Sequence, residues 1–414
     1  MLNIKYKLTH RSLFTFFYSF CLFGMLMLNG IAFFPGVFQG RISYFIQAVI
    51  IVLGAIDIGV SIKKIKKDSI LQFVRIFMAY FLIFLWSMTI VYYKHSMDFE
   101  DVIVSELYWL IPIILAFVTF VELKVEAVEL TYKVVLINYT CVIIRTIQVY
   151  GIGYFFKIEN YLNNYGSMLE VHSIGLSIGL FLIYFYYLHK AYNKKLDWTF
   201  WLGIIYMFLC GKRIAMLAFF LVIFIYKLIS SQESFLQKKK LKFYVIVLIG
   251  LVFLYLIMVK FGLFQMICTS MNINSKSRFE TWDLLSDQYS LSPFYLGKGI
   301  GFSMNYLDRY IDSGKANYWR IAGDVHNDIL KTYIDIGFIP FALYIIWFIK
   351  GNIDYYIKRN RIQTAHLFFL LILYTVILMF TDNIMRYSLF LLVLYLMPAS
   401  MNEIEQQFVD SVEV

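Results

Sequence analysis

The chain has 414 residues, of which 61% are hydrophobic, 20% are aromatic and 15% are charged. Because so few polar groups cannot cover a globular surface, the composition excludes a soluble domain of this length and predicts an integral membrane protein. The net charge of +10 reflects basic clusters that set membrane topology and implies no nucleic acid partner. The four cysteines show no metal-ligand spacing and predict no disulfide framework.

About twelve apolar runs are long enough to cross the membrane, because roughly 20 helical residues span about 30 Å of hydrocarbon. The seventh and eighth runs form one stretch that Gly211, Lys212 and Arg213 divide, which predicts two short helices meeting at a polar turn. The first run has a basic start without a cleavage site and predicts a retained span. The runs lie near residues 13–33, 43–62, 71–93, 103–121, 131–151, 171–189, 197–210, 212–229, 241–261, 327–349, 364–381 and 384–400.

The basic loops predict the orientation of the chain. Basic clusters near residues 5–11, 63–67, 190–195, 238–242 and 358–361 fall on one side, which the positive-inside rule assigns to the cytoplasm. Both termini are then cytoplasmic. The predicted organisation is an N-terminal bundle of about nine spans (1–261), a large extracytoplasmic loop with surface helices (262–326), C-terminal spans (327–401) and a frayed acidic tail (402–414).

Arginine is distributed differently from lysine. Most lysines fall on the predicted cytoplasmic side, whereas most arginines fall at or near the outer face. Arginine presents a planar fork of donors suited to phosphate, so this bias predicts an external anionic ligand. The alternative is pairing with outer acids such as Glu280 and Asp308; Arg386, beside Asp382, is expected to form a local ion pair. The outer arginines are Arg41, Arg145, Arg213, Arg278, Arg309, Arg320 and Arg386.

Two positions carry most of this prediction. Arg145 lies about 9 Å inside the membrane, where a cation needs a cavity or a partner. Snorkelling to the interface or pairing with Glu170 is the alternative. Lys212 and Arg213 open the eighth span, where side chains and backbone donors converge on a phosphate. For this pair, anchoring at the interface is the alternative.

The stretch from Trp319 and Arg320 to Phe341 passes from a polar loop into the predicted helix 327–349. His326 falls in its first turn beside Asp324, Asn327 and Asp328, which are N-cap residue types. The positive end of a helix favours a neutral imidazole, which accepts protons, so His326 is a candidate general base. The alternative is a histidine that only caps the helix.

The large loop contains two further features. Arg278 to Trp282 predicts a helix on the membrane surface that ends before Pro293. Gly297-Lys298-Gly299-Ile300-Gly301 predicts a tight turn and is too weak a pattern for a nucleotide site. Aromatic residues of the loop could stack on sugars or form an interfacial belt, namely Trp282, Tyr289, Phe294, Tyr295, Phe302, Tyr306, Tyr310, Tyr318 and Trp319.

These motifs, in this order, resemble the bacterial O-antigen ligase and polysaccharide polymerase superfamily, and most resemble its Wzy-type repeat-unit polymerases. The resemblance covers about residues 200–350. Its serine-arginine signature appears here as Gly211-Lys212-Arg213, without the serine. The motifs are Arg213 at the start of a span, R-x-x-x-W at Arg278 to Trp282, the cluster Gly297 to Gly301, and His326-Asn327-Asp328-Ile329-Leu330 running to Gly337.

The resemblance implies a glycosyltransferase of the GT-C type that needs no metal or cofactor and uses undecaprenyl-diphosphate-linked oligosaccharides. It would act outside the bacterial cytoplasmic membrane, with flippase and chain-length regulator proteins as candidate partners. We predict His326 as the base, with Asp324 or Asp328 orienting its ring, and Arg213 and Arg278 as the other catalytic residues. The predicted substrate contacts are Arg145, Lys212, Trp282, Lys298, Asn327, Asp324 and Asp328.

Two alternatives remain at this point. A ligase of the same superfamily would use the same residues and differ only in its acceptor. A lipid-linked oligosaccharide flippase or transporter would show internal repeats and ionisable residues at the membrane midplane. The sequence shows no evident repeat, and its arginines cluster outward, which disfavours the transporter.

Overall fold

The computed structural model describes residues 10–28, 39–61, 67–157, 168–230, 234–272, 277–314 and 324–412, so Trp319 and Arg320 lie outside the described residues. Over the described part the chain is helical without a strand, which confirms the all-α class. Its apolar helices make it an integral membrane protein, whereas the count of twelve spans and the GT-C type stay predictions. Six described helices are long and apolar enough to cross a membrane, namely Lys67–Lys94, Phe99–Leu123, Glu126–Tyr150, His172–Tyr192, Leu236–Lys260 and Ile362–Met379. Shorter apolar helices cover Leu13–Met27, Ile42–Ile56 and Trp198–Leu209.

The described helices follow the predicted runs closely, apart from one break and one extension. In chain order they are α1 (His10–Leu28), α2 (Gln39–Ser61), α3 (Lys67–Lys94), α4 (Phe99–Leu123), α5 (Glu126–Tyr150), α6 (His172–Tyr192), α7 (Trp198–Leu209), α8 (Arg213–Ile229), α9 (Ser234–Lys260), α10 (Leu263–Ser270), α11 (Arg278–Ser286), α12 (Phe302–Asp312), α13 (Asp328–Ile336), α14 (Phe338–Ile346), α15 (Asn352–Lys358), α16 (Ile362–Met379) and α17 (Ser388–Val412). A π turn covers Trp347–Gly351, and 3₁₀ turns cover Ile152–Phe156 and Ile384–Arg386.

The chain folds as two compact units, one formed by residues 1–73, 111–216 and 389–414 and the other by residues 74–110 and 217–388. In the first unit α1 packs against α2 and α5, and α5 packs against α6 and α7. The Tyr18 hydroxyl hydrogen-bonds the Thr131 hydroxyl at 2.8 Å, and the Tyr132 hydroxyl donates to the Thr199 carbonyl at 2.9 Å. These bonds tie helices together because a buried hydroxyl is costly unless it is paired.

The predicted division between the seventh and eighth helices is confirmed. α7 ends at Leu209 and α8 begins at Arg213. Gly211, between them, has a φ of +65°, which glycine adopts without strain. Gly175 of α6 lies against this turn, since a Cβ added to it would stand 2.9 Å from the Cβ of Cys210. The turn therefore has a fixed place in the first unit.

The predicted helix over residues 327–349 is wrong in one respect, because it is broken at Gly337. α13 ends before this residue and α14 begins after it, since Gly337 has a φ of +82° and a ψ of 177°. A Cβ on Gly337 would lie 2.2 Å from the carbonyl carbon of Leu296, and a Cβ on Gly297 would lie 2.4 Å from that of Ile336. The backbone of the long loop (residues 262–326) therefore packs directly against the backbone of the break, with no side chain between them.

Hydrogen bonds to Asp335 connect the glycine cluster of the long loop to the end of α13. Its carbonyl accepts N–H bonds from Lys298 and Gly299 at 2.9 and 2.8 Å. Its carboxylate accepts N–H bonds from Gly301 and Ser303, both at 2.9 Å. Because Ser303 lies in the first turn of α12, the carboxylate also satisfies a free donor at the start of that helix. The cluster is thus the tight turn that the sequence predicts.

α3 holds the other side of the same turn. The Trp86 indole N–H donates to the carbonyl of Ile336 at 2.9 Å, and the Lys94 ammonium donates to that of Gly297 at 2.9 Å. The Ser96 hydroxyl donates to the Lys298 carbonyl. The Trp86 bond satisfies the Ile336 carbonyl, which the break at Gly337 removes from helical hydrogen bonding, and the other two bonds satisfy carbonyls of the loop.

The acidic tail differs from the predicted frayed end. α17 continues as a helix to Val412. Glu403 and Glu405 are buried, with exposed fractions of 5% and 8%, and the Phe408 ring lies 5.6 Å from the Tyr192 ring. The helix persists because part of it packs against the protein, a contact that local sequence polarity does not reveal.

Gly337→Ala should destabilise the protein by about 2 kcal/mol or more, because the added methyl group meets the Leu296 backbone and the positive φ strains any other residue. Thermal unfolding of purified protein in detergent measures the effect. Gly250→Ala in α9 is the control, since nothing lies within 4 Å of its added Cβ and alanine favours a helix. Equal melting temperatures for the two variants would contradict the proposed close contact.

Candidate active site

His326 lies one residue before the cap of α13, not in the first helical turn as predicted. Asn327 is the N-cap, and its side-chain oxygen accepts the N–H of Leu330 at 3.0 Å. His326 itself has a φ of +48°, a backbone conformation that is unfavourable for a residue other than glycine. Such strain persists only where surrounding contacts impose it, and it is often found at functional positions.

A buried carboxylate faces the His326 ring. Nδ1 of His326 lies 3.9 Å from Oδ1 of Asp382 and 3.5 Å from Nδ2 of Asn383. The Asp382 side chain is 2% exposed, whereas that of His326 is 28% exposed. A carboxylate at this distance stabilises a protonated imidazole. The ring can therefore take up a proton while one of its edges stays open to solvent.

Asp382 is the functional candidate that the sequence analysis missed. The prediction named Asp324 or Asp328 to orient the ring, because both lie near His326 in the sequence. Asp382 instead reaches the ring from the turn after α16. The only sequence feature that points to Asp382 is the polar Asp382-Asn383 pair at the end of a helix, and this pair does not identify His326 as its partner.

Asp324 and Asp328 join the His326 segment to the turn that carries Asp382. The Asp328 carboxylate, 1% exposed, accepts the N–H of Met385 at 2.9 Å. Asp324 forms an ion pair with Arg386, with Nη1 2.8 Å from Oδ2. Arg386 therefore does form an ion pair, and its partner Asp324 lies in the long loop.

The R-x-x-x-W motif lies on α11 and supports the same segment. The Trp282 indole N–H donates to the carbonyl of Val325 at 2.8 Å, and the residue is 6% exposed. Arg278, four residues earlier on the same helical face, is half-buried and interacts electrostatically with the Tyr255 hydroxyl. That hydroxyl accepts a hydrogen bond from the Asn327 side chain at 2.9 Å. The motif thus brings one arginine close to the cap of α13.

The side chain of Lys298, a predicted substrate contact, hydrogen-bonds and packs within the long loop. Its ammonium donates to the side-chain oxygen of Gln288 at 2.9 Å and lies 4.6 Å from the centroid of the Phe302 ring. Burial and the neighbouring ammonium of Lys94 lower the pKa of Lys298. These contacts suit a residue that stiffens the loop.

The remaining predicted cations belong to the first unit. Lys212 is buried, and its ammonium lies 2.9 Å from Oε1 of Glu170 and 2.7 Å from Nδ1 of His172. Arg213 begins α8 and is exposed. Arg145 is also exposed, with Nη1 3.5 Å from Oε1 of Gln148. Glu170, the expected alternative partner for Arg145, therefore pairs with Lys212.

The described residues contain no group of three or more His, Cys, Asp or Glu side chains placed to hold a metal ion. The arrangement itself places a partly exposed histidine beside a buried carboxylate, with an ion pair and a half-buried arginine nearby.

Part of the chain is similar to a known protein family. The family model Wzy_C, described as O-antigen ligase, matches residues 198–345, which contain Arg213, the R-x-x-x-W motif and His326. This range agrees with the resemblance over residues 200–350 that the sequence motifs indicate. A search among curated proteins found no similar sequence. Residues 198–345 are therefore similar to the O-antigen ligase family, which supports the resemblance that the motifs indicate.

Proposed function

We propose that this chain is a glycosyltransferase that polymerises oligosaccharide repeat units linked to undecaprenyl diphosphate, at the outer face of the bacterial cytoplasmic membrane. The observation that carries the proposal is the His326 ring held beside the buried Asp382, with His326 inside the segment that matches the O-antigen ligase family. Flippase and chain-length regulator proteins would supply the substrate and set the length of the product.

His326 acts as the general base in this proposal. Its Nδ1 carries a proton towards Asp382, and the Asn383 amide, turned by 180°, presents its oxygen to the same nitrogen. Nε2 then accepts the proton of the acceptor hydroxyl. The acceptor oxygen forms a bond to the anomeric carbon as the bond from that carbon to the diphosphate oxygen breaks. The buried Asp382 stabilises the imidazolium that forms.

The lipid diphosphate leaves with added negative charge, so its departure needs cations. Arg278, Arg213 and Arg145 remain the candidates predicted from the sequence, since a guanidinium donates to phosphate oxygens in pairs. Lys212 plays an indirect part, because Glu170 and His172 already engage its ammonium. It fixes the turn that precedes Arg213.

A ligase would use the same residues to move a finished glycan to another acceptor. The outward arginines and the base at His326 provide what glycosyl transfer requires, and a transporter has no use for a general base. The polymerase proposal is therefore tested by the product that the protein forms.

His326→Ala should lower polymer formation by about 100-fold or more, because loss of a general base removes that much rate. Arg213→Ala should also abolish laddered glycan. The assay uses membranes supplied with the cognate lipid-linked repeat unit, at matched expression. His95→Ala is the control, since His95 is an exposed histidine that also has a positive φ, of 50°. Normal ladders from both test variants would refute the assigned site.

Asp382→Asn should slow transfer by about tenfold or more, since the carboxylate that stabilises the imidazolium is lost. Asp382→Glu should restore part of the rate, and Asp312→Asn, an exposed change on α12, should leave it unaltered. A transfer rate in Asp382→Glu no higher than in Asp382→Asn would show that the carboxylate itself is not needed.

A further inference from the structure

α12 carries a row of three aromatic rings. Phe302, Tyr306 and Tyr310 follow at intervals of four residues and so share one helical face. Their ring centroids are 5.8 and 6.5 Å apart, with interplanar angles of 27° and 26°. Near-parallel rings at these distances are offset, so neighbouring rings of the row do not cover each other's faces completely. Phe302 is buried, whereas Tyr306 and Tyr310 are half-exposed. These three residues form what we call the α12 ladder.

The inner part of the α12 ladder is held in place. Gln288 donates from its side-chain nitrogen to the Tyr306 hydroxyl at 3.2 Å and accepts from the Lys298 ammonium at 2.9 Å. That ammonium lies over the Phe302 ring. The Tyr306 ring is therefore fixed before any ligand arrives, and a preorganised surface loses little entropy on binding.

Polar groups stand beside the exposed rings. Arg309 follows Tyr306 by three residues on α12 and so neighbours it on the helix surface; its Nη2 lies 3.6 Å from Oδ2 of Asp98, and these two side chains are 63% and 82% exposed. A pyranose ring presents a face of C–H groups that packs on an aromatic ring and a rim of hydroxyls that needs hydrogen-bonding partners. Tyrosine rings edged by charged and amide side chains supply both.

Four other aromatic residues of the long loop differ from this arrangement. Trp282 and Tyr289 are 6% and 5% exposed. The Tyr295 hydroxyl donates to the carbonyl of Ile334, and its ring stacks on Tyr333. Phe294 is 88% exposed but lies outside the ladder. In contrast, Tyr306 combines a hydrogen-bonded hydroxyl with partial exposure, and Tyr310 stacks on it.

The opposite side of α12 meets the candidate active site. The Met304 sulfur lies 3.9 Å from Nη1 of Arg386, which pairs with Asp324. Burial raises the pKa of Asp308 and the Arg386 guanidinium opposes that rise, so Asp308 faces the same ion pair. One short helix therefore connects the α12 ladder to the segment that carries His326.

We propose that the α12 ladder is a saccharide subsite, in which Tyr306 and Tyr310 stack on successive pyranose rings of the growing glycan and keep it beside the active site. This inference rests on the proposed function and names the part of the protein that holds the polymer. The competing occupant is the membrane surface, but the face is edged by Arg309 and Asp98, whereas the exposed apolar residues Met266 and Ile267 of α10 suit lipid better.

The test measures binding separately from transfer. Full-length protein carrying His326→Ala, which cannot turn over, is titrated by calorimetry with lipid-free polysaccharide fragments released from producing cells by mild acid. Tyr306→Ala and Tyr310→Ala should each weaken binding by about 2- to 10-fold, the usual contribution of one aromatic contact. Tyr306→Phe, which keeps the ring, should bind as the parent does. Phe294→Ala is the exposed aromatic control and should have no effect.

Transfer is then followed with His326 intact. Tyr306→Ala should yield shorter chains than wild type at matched expression. Fragment affinity that is unchanged in both tyrosine variants would overturn the subsite. So would a parent that ignores fragments while Tyr306→Ala loses affinity for phospholipid vesicles, since the face would then be a membrane contact. If wild type forms no linkage although fragments bind through the ladder, the proposed polymerase function fails and the subsite stands.

Discussion

The backbone contact between Gly297 and Gly337 is the constraint on which the second unit depends. Neither residue leaves room for a Cβ, so the long loop lies directly on the break between α13 and α14. Asp335, two residues before the break, then binds the start of α12 through its carboxylate. α12 in turn contacts Arg386 through Met304. The position of the candidate site thus follows from one close approach of two backbones.

Charge determines what the site can do once it is assembled. Two carboxylates near His326, those of Asp328 and Asp382, are almost fully buried, and a buried charge is costly unless it is hydrogen-bonded or paired. Asp328 accepts the N–H of Met385, and Asp382 accepts that of Asn383 at 2.9 Å. Buried carboxylates beside a partly exposed histidine suit proton transfer, and such arrangements concentrate at functional sites.

Much of this fold could be predicted because hydropathy alone decides which segments enter a membrane. The polar turn at Gly211 was visible for the same reason, since it interrupts an apolar run. The break at Gly337 was not, because both of its sides are apolar and its cause lies in a distant glycine. Within the candidate site, His326 could be predicted because it is a histidine at the start of a helix. Asp382 could not, because it is far from His326 along the chain. The contact of Trp282 could not be predicted either, because it binds a backbone carbonyl, which has no sequence signal.

In the proposed reaction this chain breaks a bond between a sugar and a lipid diphosphate with His326 as the base. The stoichiometry of that reaction can be measured in proteoliposomes that contain purified protein and the lipid-linked repeat unit. We expect one free lipid diphosphate to be released for each repeat unit added to the chain, and neither product with His326→Ala. Substrate that crosses the bilayer without release of lipid diphosphate, or release that persists without His326, would contradict it.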